Sequence, residues 1–119
     1  METTEYSLSE WNELINNLTV HFGKKPDMNA ILFLIGVQEL GQGTRNFTKE
    51  EKQNLMHIAV CKVLSFSGYY ELEGADKDGW PHWKLLKKLP SFDMFEQEKI
   101  LRNHVLEYFH AEVNFWENE

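Results

Sequence analysis

Gly68-Tyr69-Tyr70-Glu71-Leu72-Glu73-Gly74-Ala75-Asp76-Lys77-Asp78-Gly79-Trp80-Pro81-His82-Trp83 is the stretch on which the reading of this chain turns. Sixteen residues hold four aromatic rings, four carboxylates, one histidine and three glycines. An aromatic run, an Asp/Gly turn and a second aromatic run spell a β-hairpin. Everything around it reads as helix. That much aromatic surface must either plug a core or form a recognition surface.

Upstream, Leu8, Trp11, Leu14, Ile15, Leu18 and Phe22 recur at helical spacing. Ser7 with Glu10 has the form of a capping box, and Gly23 supplies a stop. Lys24-Lys25-Pro26 breaks the chain, because proline disfavours helix in the residue before it. Asp27 then caps a helix from Met28 to Leu40, closed by Gly41. Its centre, Ala30 to Val37, is apolar on every face. Such a helix belongs in the middle of a bundle or in a subunit interface, so this segment, with Leu34 at its centre, is expected to be the most buried.

Gly41 to Phe47 is a loop. Thr48 and Glu51 form the next capping box, opening a long helix that turns Leu55, Ile58, Ala59, Val63 and Phe66 inward and ends at Gly68. Beyond the hairpin, Pro90 and Ser91 break the chain, and Asp93 with Glu96 opens a last helix. Its stripe is Met94, Leu101, Val105, Phe109, Val113 and Trp116, with Tyr108 and Phe115 off it. The expected fold is mainly α: a single domain over 1–119 with four helices and one β-hairpin inserted before the C-terminal helix. That order is winged-helix-like.

At 42% hydrophobic residues over 119, the chain can bury a core without staples. Net charge is −7. Residues 1–23 carry Glu2, Glu5, Glu10 and Glu13 and no Lys or Arg; residues 90–119 carry seven carboxylates against Lys99 and Arg102. An acidic chain repels phosphate backbones, which disfavours nucleic acid as a partner. In a winged helix the segment 48–67 would enter the major groove. There Lys49, Lys52 and Lys62 are offset by Glu50 and Glu51, and the wing tip carries Asp76 and Asp78. Cys61 is the only cysteine, so no intrachain disulfide forms. With no signal-like N-terminus and no apolar run near the ~20 residues of a membrane span, a cytoplasmic location without membrane is expected.

Three chemical motifs stand out. Asp76-Lys77-Asp78-Gly79 has half the form of a calcium loop, but Gly74 and Leu85 fall where its first and last ligands belong. Asx-turn chemistry accounts for it without an ion. Glu107-x-x-His110 has a di-iron spacing but no second copy, so His104, Glu107 and His110 read as a surface trio. His57 and Cys61 are helical neighbours with the makings of a thiolate–imidazole pair; a lone Cys in so apolar a helix reads as core. No catalytic residue, metal or cofactor is assigned.

The strongest candidate binding surface is Tyr69, Trp80, His82 and Trp83, since aromatics anchor interfaces. The competing arrangement buries Tyr70, Leu72, Trp83 and Leu85. Through the Leu32–Gly41 helix and the Gly68–Trp83 stretch, over nearly its whole length, the chain resembles small conserved bacterial proteins of unknown function. That resemblance implies a bacterial cytoplasmic setting and no known activity. The expected function is a non-enzymatic protein-interaction or assembly module, self-associating as a homodimer because its helices carry surplus apolar surface. The alternatives are a small-molecule or metal-dependent enzyme using His57, His82, His104 or Glu107, and an acidic winged-helix-like regulator.

Overall fold

Polar caps set where the helices begin and end. In the structure, a computed structural model describing residues 8–43, 45–89 and 94–111, the order is α1 (Leu8–Phe22), α2 (Met28–Leu40), α3 (Lys49–Ser65), β1 (Tyr70–Ala75), β2 (Pro81–Leu85) and α4 (Met94–Ala111). The four helices and the antiparallel hairpin between α3 and α4 are those expected from sequence. Asp27 Oδ1 accepts the Ala30 N–H at 2.8 Å, and Gly41 closes α2 in the left-handed region at φ 72°. The Thr48/Glu51 box is closed in both directions, at 3.1 and 2.9 Å. Ser7, Asp93, Val113, Phe115 and Trp116 lie outside the described residues.

The chain divides into two compact units, one from the described parts of 1–25 and 90–119, the other from 26–89. In the first, α1 buries Leu14, Ile15 and Leu18, whereas Leu8 and Phe22, at the ends of its expected stripe, are exposed. On α4, His104, Val105, Leu106, Tyr108 and Phe109 are buried. Tyr108, expected off the stripe, is only 1% exposed. Two neighbouring turns of a helix end up enclosed, so this ring is core and not surplus. The Arg102 guanidinium lies 5.1 Å from the Trp11 ring and 3.1 Å from Glu98, and His110 Nε2 stands 3.7 Å from Glu10. Exposed pairs of this kind contribute about 0–1 kcal/mol, against about 1.5–3 for each buried Leu or Ile. Apolar burial therefore governs this unit.

In the second unit α2 packs along α3. Burial is shared between them: Ile31, Leu32, Ile35, Gly36 and Leu40 from α2, and Leu55, Ile58, Ala59, Cys61, Val63 and Leu64 from α3. Leu34 is only half-buried, contrary to its expected place at the centre of the core. An all-apolar helix hides its central residues unequally when one neighbouring helix lies on one side of it. The closest approach is at Gly36. A Cβ there would stand 2.7 Å from the Leu55 carbonyl carbon and 2.8 Å from the Leu55 Cβ, with the carbonyl oxygen nearer still.

Helix propensity alone favours alanine at Gly36 by about 1 kcal/mol. Overpacking against a backbone carbonyl costs about 3 kcal/mol, so the clash wins. Gly36→Ala is expected to lower unfolding free energy by about 2 kcal/mol net in urea titration. A variant as stable as the parent would show that α2 and α3 do not meet at this point. Thr48→Ala, which removes one cap bond, is expected to cost about 1 kcal/mol in the same assay.

Candidate interaction surface on the hairpin

The hairpin leaves α3 through a tight C-terminal turn. Gly68, at φ 80°, donates to the Ser65 carbonyl at 3.0 Å while the Tyr69 N–H reaches the Leu64 carbonyl at 3.3 Å. This nested pair satisfies two orphan carbonyls and requires a residue tolerant of the left-handed region at Gly68. The chain thus enters β1 directly, and the Leu86 N–H closes the base on the Tyr69 carbonyl at 2.9 Å.

Register then sorts the side chains. Tyr70 pairs with Leu85, Leu72 with Trp83, and Glu71 with Lys84. Directly opposite residues share a face and successive residues alternate. Without correction, the alternation would carry Ala75 to the polar side. A bulge between Leu72 and Gly74 absorbs Glu73, so that Gly74 pairs with His82 and Ala75 with Pro81. One face therefore carries Tyr70, Leu72, Ala75, Pro81, Trp83 and Leu85, all uncharged. The other carries Glu71, His82 and Lys84.

The apolar face is only partly covered. The Tyr70 ring meets the His57 ring edge-on at 6.4 Å, so at this end the face rests on α3. Burial, and behind it the Cys61 thiol, pushes the Tyr70 hydroxyl upward in pKa. Trp83 is half-buried, and its Nε1–H is enclosed without an acceptor. Leu72 remains 54% exposed and Leu85 48%. The arrangement expected to compete with the binding surface, burial of all four of these residues, is thus realised for none of them in full.

The tip is organised by Asp76. Its Oδ1 accepts the N–H groups of Asp78 at 2.9 Å and Trp80 at 3.0 Å, and its Oδ2 lies 3.0 Å from His82 Nε2. The His82 bond first, then those from Trp80 and Asp78, hold the Asp76 carboxyl below the usual range. Gly79 completes the turn at φ 87°, and the Gln42 side-chain amide donates to the Asp78 carbonyl at 2.7 Å. Asp76-Lys77-Asp78-Gly79 is therefore a turn whose Asp76 carboxylate is engaged by its own backbone and by His82.

Of the four residues expected to form a surface, Trp80 packs with Phe33 and Val37 against the cluster of Leu40, Phe47 and Leu55. It is a plug. His82 and Trp83, being successive in β2, lie on opposite faces. Tyr69 precedes β1 and carries the Lys87 ammonium 4.7 Å above its ring. Leu72 and Leu85 are the residues that sequence reasoning left out of the surface. The signal was available in the strict alternation of β2, but the extent of cover depends on how far α3 reaches.

The other motifs resolve individually. Cys61 Sγ lies 3.5 Å from His57 Nε2, and burial pushes the thiol up to about 11. A nucleophilic cysteine needs the opposite shift. His104 is 3% exposed, and its Nδ1 lies 2.7 Å from the Ile100 carbonyl oxygen, so the expected surface trio with Glu107 and His110 is not a surface trio. Among the described residues, no three His, Cys, Asp or Glu side chains are grouped to hold a metal ion, and no helix is long and apolar enough to cross a membrane. No protein-family model, curated protein or solved structure matches the chain.

Two measurements follow from these sites. Cys61 should resist alkylation at neutral pH in the folded protein and react readily in denaturant. Its raised thiol stabilises the fold below the unfolded thiol value, and that contribution is lost as pH rises toward about 11. Thiolate absorbance growing in at pH 8 to 9 would contradict the enclosure of Cys61. For Asp76 the sign is reversed, since its lowered carboxyl stabilises the turn above the ordinary carboxylate value and is lost as pH falls through the folded one. Asp76→Ala should therefore speed amide exchange at Asp78 and Trp80 selectively, with amides in α2 unchanged.

Proposed function

We propose that this chain is a non-enzymatic protein-interaction or assembly module of the cytoplasm, docking through the uncovered part of the hairpin's apolar face. One observation carries the reading. An amphipathic two-stranded sheet leaves Leu72 and Leu85 about half exposed beside the half-buried Trp83 and Tyr70 on one face. Partly enclosed aromatics ringed by aliphatic side chains are the composition of an interface centre. Scattered single apolar residues would need no explanation; a contiguous group does.

Self-association is the form to test first. Tyr108 is core, so the surplus apolar surface is that of the hairpin leucines. Edge-to-edge pairing of two hairpins is disfavoured, because β1 carries Glu71 and Glu73 while β2 and its exit carry Lys84, Lys87 and Lys88. Two-fold pairing of like edges sets like charges together. The face remains.

The rival, an enzyme built on His57, His82, His104 or Glu107, lacks a supporting observation of this kind. His104 is buried against a backbone carbonyl, and His82 is engaged by Asp76. Metal analysis separates the two readings, for a stoichiometric metal would favour the enzyme.

Light scattering at micromolar concentration tests the proposal. The parent should show a mass above 14.1 kDa that rises with concentration, and Leu72→Lys with Leu85→Lys should return it to the monomer. The helical circular-dichroism signal should be retained, because both leucines are already half in water. A parent mass fixed at the monomer value would remove self-association, and with it the main support for the module reading.

A further inference from the structure

We draw no further inference here: the strongest candidate, the half-covered apolar face of the hairpin between Leu72 and Leu85, belongs to the surface already described, and nothing in the structure shows what covers it.

Discussion

The contact between Gly36 and the backbone of Leu55 is the constraint on which the larger unit depends. Two helices with side chains at the crossing pack 8–10 Å apart. Removing the Cβ on one of them lets backbone approach backbone, which brings Ile31, Ile35 and Leu40 into reach of Leu55, Ile58 and Ala59. The five Leu and Ile side chains among them, at about 1.5–3 kcal/mol each, outweigh the roughly 1 kcal/mol that a mid-helix glycine forfeits. Between the two helices, Phe47 meets Phe33 edge-on at 5.9 Å.

The hairpin is a dependant of that pair. It is joined to α3 by the turn at Gly68, rests on α3 through Tyr70, and is plugged by Trp80 into the cluster of Leu40, Phe47 and Leu55. An isolated two-stranded hairpin is marginal in water, so these apolar anchors hold it in place. The hydrogen bonds of Asp76 and Gln42 are exposed. They shape the tip, while the partly buried Trp80 indole packs against the cluster.

What was legible in the sequence was local. Asp27, Gly41, Thr48 with Glu51, Gly23 and Gly68 each announce a bond or a backbone angle settled within four or five residues, and each sits where its chemistry requires. The Asp/Gly turn was readable for the same reason. Non-local geometry was not. Gly36 looks like a weak point inside an apolar helix until Leu55 is placed against it. Trp80 and Trp83 look alike in sequence and are both half-buried, yet one packs against the Leu40, Phe47 and Leu55 cluster and the other lines the hairpin's apolar face, because the strand begins between them. His104 reads as polar surface until its ring nitrogen is satisfied by the carbonyl one turn back, which lets it be buried. The bulge at Glu73 has no sequence signal beyond the glycine after it, which takes φ 138°.

That bulge decides how far the uncharged face extends toward the tip. With regular alternation, Gly74 would sit on the apolar face and Ala75 among the charges, and the face would end at Leu72. Absorbing one residue realigns the strand, so the uncharged face runs from Tyr70 and Leu85 to Ala75 and Pro81 at the tip. A sheet needing only enough cover to rest on α3 has no use for that length, since Tyr70 and Trp80 already fix both ends. Leu72 and Leu85, on the α3 side of the bulge, leave about half of their surface exposed, which a lysine or threonine would avoid with little loss of sheet stability. The proposed docking surface rests on that choice of residues.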